Sequence, residues 1–360
     1  MRVLHICQRD DPATGGAARV AVELVRRLPD CGVDAQCVFV YGGRGALSAG
    51  IEGQTHWLGV KSSRQVAIGI LRLVRLIKRL KPDVIHHHDG LTWTHFVTYT
   101  QQRAVVIGHA HLDGPQEGAS MKRRLSHLVH AKTYKRLVAV SEFTRQAWIS
   151  TGYPESRTVV LPNGVDGQCF YIADSAQRTK AKLLLGIPAN VKVALSVGRL
   201  HMGMKGTDDF IRVVQALGSD WHGVIAGVGP DEVALKDLCQ ELGINERVHF
   251  VGLLDPVLVG YHASDLLIVT SHYEPFGLMA VEALACGLPV IGFATKGGVM
   301  DILKFAQASV IENRDVGLMA KTINERMDLQ ISAVRRLAAI ERYDWNRITQ
   351  MLVDEVYENL

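Results

Sequence analysis

The sequence predicts an α/β protein built from two doubly wound parallel-sheet domains. Short β-branched runs alternate with longer amphipathic helical patterns along the whole chain. The connections between them are mostly short, as expected for parallel strands covered by helices on both faces. The 360 residues exceed a typical single core, and the alternation restarts after 161-LPNGVDGQ-168.

The first series opens with the strand RVLHICQ, followed by the helix AARVAVELVRRL with apolar positions at i, i+3, i+4 and i+7. DAQCVFVYG, PDVIHHH, AVVIGHA, RLVAVS and RTVVLPNG follow as further strands. The Gly- and Ser-rich stretch 42–63 reads as a loop. The second series contains VKVALSVG, WHGVIAG, RVHFVG, DLLIVTS and PVIGF. In such sheets ligands sit beyond the carboxyl ends of the strands, and between two such domains the expected site is the cleft.

Composition narrows the function classes. Hydrophobic content of 48% with 21% charged residues describes an ordinary globular chain. No run of about 18 apolar residues occurs, so no membrane-spanning helix is expected. The start, MRVLHICQRDDP, turns acidic too early for a signal peptide. The six cysteines lack CxxC or zinc spacing, which fits reduced thiols in the cytoplasm. Residues 1–170 carry 22 Lys+Arg against 13 Asp+Glu, whereas the remainder carries 18 against 23. A basic half joined to an acidic half suggests different partners for each. The basic residues lack interleaved aromatics or a helix-turn-helix pattern, so nucleic acid is not expected.

Five constellations could carry chemistry. In 9-RDDPATGGAARV-20, Gly15 and Gly16 precede a helix and could admit an anion to backbone amides, or could simply cap the helix. In 196-SVGRLHMGMKGTDDF-210, Gly198-Arg199 and Lys205 follow a strand; Arg199 could fork across diphosphate oxygens with Lys205 as a point charge. In 225-IAGVGPDEVALKDL-238, Gly227 and Gly229 could let backbone approach a nucleotide, or could serve a tight turn.

The fourth constellation is 271-SHYEPFGLMAVEALACGLPV-290, where Glu274 and Glu282 lie eight positions apart. Glu274 precedes the helix, and the amides of Phe276, Gly277 and Leu278 would point at a negative group from its start. Glu282 sits among Val281, Ala283, Leu284 and Ala285, where a carboxylate needs a partner. It could take vicinal ribose hydroxyls bidentately. The fifth is the histidine group His86, His87, His88, His109 and His111 at two strand ends. No Glu or Cys accompanies them at ligand spacing, so no metal is expected. A histidine there could instead orient a sugar hydroxyl. One of His109 and His111 is expected to enter the sheet packing and the other to face the cleft.

These residues resemble the retaining glycosyltransferases of family 4, which have the GT-B fold. The resemblance spans almost the whole chain. It rests on GGAARVAVEL, 138-VAVSEFTR-145, 161-LPNGVD-166, VGRL…KG, GVGP and 274-EPFGLMAVEALACGLPVI-291, the last matching the family's E-x7-E signature. It implies a first, acceptor-side domain over 1–166 with 344–360 crossing back onto it, and a donor-binding domain over 167–343. It gives Arg199 and Lys205 the donor diphosphate and Glu282 the ribose. Glu274 and the 276–278 amides would hold the donor sugar, and Gly15 and Gly16 would approach the phosphates or the acceptor. His111, or else His109, would contact the transferring sugar. The Arg199-to-Lys205 spacing is one residue longer than the family's.

The implied donor is a UDP- or GDP-sugar, with no cofactor and no metal required. The implied acceptor is a glycan, first a lipid-linked oligosaccharide of polysaccharide assembly. The basic stretches 64-RQVAIGILRLVRLIKRLK-81 and 122-KRR-124 could dock the protein peripherally on the inner face of an anionic plasma membrane. A small soluble acceptor, such as an antibiotic or thiol precursor, is the alternative, and a GT-B sugar-nucleotide epimerase a more distant one.

Overall fold

The computed structural model describes residues 1–88, 92–101, 103–112, 121, 129–130, 132–325 and 331–360. The chain divides into two compact units, Met1–Gly164 with Trp345–Leu360, and Val165–Asp344.

The first unit holds β1 (Arg2–Arg9), β2 (Asp34–Tyr41), β3 (Thr55–Val60), β4 (Val84–His87), β5 (Val105–Ala110), β6 (Arg136–Ala139) and β7 (Thr158–Val160). They form one parallel sheet in the order β3-β2-β1-β4-β5-β6-β7. The second unit contains β8 (Lys192–Val197), β9 (Trp221–Ala226), β10 (Val248–Gly252), β11 (Leu266–Val269), β12 (Val290–Phe293) and β13 (Ser309–Ile311). These pair in parallel as β10-β9-β8-β11-β12-β13. The predicted α/β class with two doubly wound parallel sheets is therefore the observed one.

Two strands escape the sequence pattern. β3 lies inside 42–63, the stretch read as a loop, and β13 has three residues. Both are sheet edges, where one flank stays unpaired and the demand for a continuous apolar run is weaker. The basic run 122–124 lies outside the described residues.

Each sheet is held by helices whose apolar stripes cover it. Over β3, the helix Val66–Leu80 buries Leu73, Leu76 and Ile77 with Leu58 and Val60. Gly69 interrupts this helix because a Cβ there would come within 2.6 Å of the Val60 side chain. In the second unit, Phe210, Val213, Val214 and Leu217 of the helix Thr207–Leu217 join Trp221, Ile225 and Phe293 in one cluster. Each fully buried side chain of this size contributes about 1.5–3 kcal/mol. Among the described residues no helix is long and apolar enough to cross a membrane.

Candidate functional site

In the second unit the candidate residues gather at the carboxyl ends of the strands, where parallel sheets place ligand sites. β8 ends into Gly198 and Arg199, then a short helix, Met202–Lys205. Gly206 closes it with φ +59°, and a Cβ there would lie 2.1 Å from the Thr270 carbonyl oxygen. Only glycine lets the two segments meet, and Thr270 Oγ1 donates to the Lys205 carbonyl at 3.1 Å. This turn aims the Lys205 ammonium at Glu274, whose Oε2 lies 2.5 Å from Nζ. Ser271 Oγ donates to the same carboxylate oxygen at 3.4 Å. A helical turn, Met202–Lys205, occupies most of the interval between Arg199 and Lys205. Arg199 is exposed and has no ion-pair partner among the described residues.

Glu274 is buried and fixed from behind by the loop after β12. Its amide donates to the Lys296 carbonyl at 2.9 Å, and the Gly298 amide to Pro275 at 3.0 Å. Gly297, at φ +136°, would place a Cβ 1.9 Å from the Glu274 carbonyl oxygen. The sequence reading missed this clamp, although the Gly297-Gly298 pair after a strand was its signal.

The helix after Glu274 runs from Leu278 to Ala285, with Gly277 at its N-cap in left-handed backbone, φ +97°. The first amides of any helix have no intrahelical partner, so an open acceptor position lies at this end. Phe276 is instead a core anchor, packed edge-on against Tyr343 at 5.8 Å. Glu282 is buried, 3% exposed, and accepts a 2.6 Å hydrogen bond from the Tyr261 hydroxyl. Its need for a partner in an apolar helix is met by a residue 21 positions away. A depression lined by Gly198, Lys205, Thr207, Thr270, Ser271 and Met279 opens beside these groups. Arg314, also missed, braces its wall: it pairs with Asp209 and donates to the Thr270 carbonyl at 2.5 Å.

Gly227 and Gly229 are demanded by the chain itself. A Cβ on Gly227 would lie 1.8 Å from the Gly198 carbonyl oxygen, and one on Gly229 2.2 Å from that of Leu200. These close approaches knit the loops after β8 and β9 together.

In the first unit, Gly15 caps the helix Gly16–Arg27 at φ +110°. Just before it, Asp10 is buried and accepts from the Gly45 amide at 2.8 Å, the Ser48 amide at 2.9 Å and the Trp57 indole at 3.0 Å. Burial pushes its carboxyl up, but the hydrogen bonds from Ser48, Gly45 and Trp57 together hold it below the usual carboxylate range.

The histidines form a cluster on β1, β4 and β5, with His5, His86 and His109 inside the strands and His88 and His111 one residue past β4 and β5. His109 and His111 stack at 4.3 Å with rings 12° apart, so they share a face instead of dividing between sheet and cleft. The expected split fails because β5 ends at Ala110 and the chain bends at His111, so strand alternation no longer divides the two rings. His88 and His86 of the neighbouring strand stack beside them at 4.9 and 5.3 Å from His109. His5, whose signal was a lone polar residue in an apolar strand, completes the group: its Nδ1 lies 2.9 Å from His88 Nε2. His88 Nδ1 in turn lies 3.1 Å from His111 Nε2, and Tyr357 Oη 2.8 Å from His86 Nδ1. His87 faces the other way, stacked on His95 at 3.9 Å.

Burial lowers the pKa of His5 and of His111 to about 3. Burial, and then the neighbouring imidazoles, take His86, His88 and His109 well below the ordinary histidine value. The cluster is therefore neutral.

Two Rossmann-like parallel-sheet units, with their polar groups at the strand ends, define the GT-B class. Known proteins agree in both halves. Residues 14–168 match the family model "Glycosyltransferase Family 4", and residues 177–342 match "Glycosyl transferases group 1". The fold is thus that of GT-B glycosyltransferases, and each half of the chain is similar to a glycosyltransferase family.

An uncharacterised glycosyltransferase of Methanocaldococcus jannaschii is 31% identical over 62% of this chain and 60% of its own length. A D-inositol 3-phosphate glycosyltransferase of Mycolicibacterium smegmatis is 27% identical over 75% and 66%. The chain therefore spans less than two thirds of these relatives. Among solved structures, Anabaena HepE in complex with UDP and glucose superposes with a TM-score of 0.87, at 21% identity and full coverage of both chains.

Proposed function

We propose that this chain moves a sugar from a nucleoside diphosphate donor to an acceptor hydroxyl, with retention at the anomeric carbon. The observation that carries the reading is the Lys205–Glu274 pair set beside the Leu278–Ala285 helix start and the depression lined by Gly198. A leaving diphosphate needs positive charge and amide donors, and this strand end offers both. In the proposed donor complex Arg199 and Lys205 hold the diphosphate, so no metal is needed there. The resident Glu274 carboxylate stands in for an anion at Lys205 until the donor arrives. Glu274 then takes the sugar hydroxyls with the 276–278 amides, and Glu282, oriented by Tyr261, takes the ribose. Gly227 and Gly229 shape the loop along the nucleotide.

In the first unit, His111 or His109 is the proposed contact for the transferring sugar, with Gly15 and Gly16 near the phosphates or acceptor. The acceptor oxygen bonds to the anomeric carbon as the bond to the diphosphate breaks, on the same face. The acceptor proton leaves to a donor phosphate oxygen. The UDP complex of HepE supports a uridine donor, and GDP-sugars remain in the test set.

For the acceptor we favour a lipid-linked glycan. The Val66–Leu80 helix exposes Ile68 and Leu71, 48% and 56% exposed, beside Arg72, Arg75, Lys78 and Arg79. Apolar residues amid cations suit an anionic bilayer surface. The D-inositol 3-phosphate relatives favour a second reading, a small soluble acceptor.

Calorimetry with UDP- and GDP-sugars tests the donor site: Arg199→Ala and Glu282→Ala should each weaken binding by about 2 kcal/mol, roughly 30-fold. Unchanged affinity in both sinks the assignment. Co-sedimentation with anionic vesicles, lost in a Leu71→Glu variant, separates the two acceptor readings.

A further inference from the structure

We propose that His88, His109 and His111 form a site for a divalent transition metal of the zinc class. Neighbouring parallel strands place them together: β4 and β5 pair as His86↔Ile107 and His87↔Gly108, so the residues just beyond them fall side by side. One ring nitrogen from each of the three lies within 4.8 Å of the other two. Three nitrogens bound at about 2.0–2.1 Å around a tetrahedral metal sit roughly 3.3 Å apart. His88 Nδ1 and His111 Nε2 are already 3.1 Å apart, and modest ring rotations bring in the third.

His109 supplies the independent sign of a missing ligand. It is 6% exposed, and both its ring nitrogens are buried without a hydrogen-bond partner. Buried polar atoms in native proteins are nearly always satisfied, and a neutral imidazole carries one lone-pair nitrogen and one N–H, so this ring's unpartnered lone pair asks for an electron-pair acceptor.

The outer arrangement also fits. His5 Nδ1, 2.9 Å from His88 Nε2, occupies the place of the outer partner that orients a metal-bound histidine and fixes its tautomer. A second triad, His5–His86–His88, is fully buried, and all of its nitrogens but His86 Nε2 are engaged by one another, by His111 and by Tyr357. The outer triad is the less deeply buried one, because His111 is only partly buried whereas His5, His86 and His88 are fully so.

The donor set selects the ion. Among the described residues no carboxylate or thiol joins either triad. Neutral imidazoles alone suit Zn²⁺, Co²⁺, Ni²⁺ or Cu²⁺ and disfavour the oxygen-seeking Mg²⁺ and Ca²⁺. Three protein ligands leave a fourth position for water or a hydroxyl group. The ligands belong to the first unit and the charges proposed for the diphosphate to the second; a bound metal would replace the bare His109 or His111 ring as the contact for a sugar hydroxyl.

The test uses the untagged full chain, stripped with chelator and titrated with Zn²⁺ against a chromophoric competitor. Co²⁺ absorption serves as a second readout. The expected result is one tight equivalent that Mg²⁺ does not displace, and visible bands of a tetrahedral cobalt centre. His109→Phe should abolish that equivalent while folding normally, since its ring nitrogens make no hydrogen bonds to lose. His5→Ala should weaken it about 10-fold through the outer contact. His249→Ala, in the other unit, should change nothing. Absence of tight Zn²⁺ binding and of tetrahedral cobalt bands in the unmutated chain overturns the proposal. So does tight binding that survives His109→Phe.

Discussion

The two units end their sheets in opposite electrostatic styles. Beyond β8 and β11 the polar groups are charged and paired, with Lys205 on Glu274 and Arg314 on Asp209. Along β1, β4 and β5 and just past the last two, the polar groups are neutral, five imidazoles and a phenol held by hydrogen bonds and ring stacking. Burying a charge demands a counter-charge, whereas burying an imidazole demands only that it give up its proton. One fold thus offers two kinds of strand-end site. The paired charges can be exchanged for those of an anionic ligand, and the neutral cluster can accept an electrophile without rearranging charge.

Several measurements would break or sharpen this contrast. The largest effect is expected at Gly297→Ala, which drives a Cβ into the Glu274 carbonyl in left-handed backbone. Urea denaturation should show a loss of about 3–4 kcal/mol, and a neutral result would mean the Glu274 loop is not clamped. Next is Lys205→Met, which strands a buried carboxylate and should cost about 2–3 kcal/mol. Adding Glu274→Gln should restore most of it, and additive losses in that double-mutant cycle would show that the pair is not coupled.

In the first unit the expected effects are smaller. Asp10→Asn should lose about 2 kcal/mol by weakening bonds from Gly45, Ser48 and Trp57. Because the folded pKa lies below the usual carboxylate value, the ionised form's contribution is present above that value. It fades as pH falls through the folded pKa. The Asp10→Asn chain should therefore show a flatter acid limb in thermal melts, and an unchanged limb would remove Asp10 as its cause. Smallest is Tyr357→Phe, which deprives His86 of its 2.8 Å contact and should cost about 1 kcal/mol. A loss as large as that of Lys205→Met would erase the distinction between the two styles.

What the sequence revealed follows the same physics. Central strands such as VKVALSVG announce themselves because both faces are buried, while THWLGV and SVI at the sheet edges do not. Glu274 and Glu282 stood out because carboxylates in an apolar setting are costly, and both are buried. Their partners Lys205 and Tyr261 are 69 and 21 residues away, and no local pattern encodes such a meeting. His5 offers only the weak signal of a polar residue in an apolar strand, because strand pairing alone sets it beside His86. The side-by-side placement of His109 and His111 escapes the strand pattern because alternation stops at Ala110 and the chain bends at His111.

The bond from the Trp57 indole to Asp10 has an optical consequence. An indole N–H held 3.0 Å from a carboxylate oxygen senses that oxygen's charge, so protonating Asp10 should shift the emission of Trp57. The four other tryptophans, at 93, 148, 221 and 345, can be replaced by phenylalanine to leave this one signal. The loop that wraps Asp10 would then report its own opening as a change of colour.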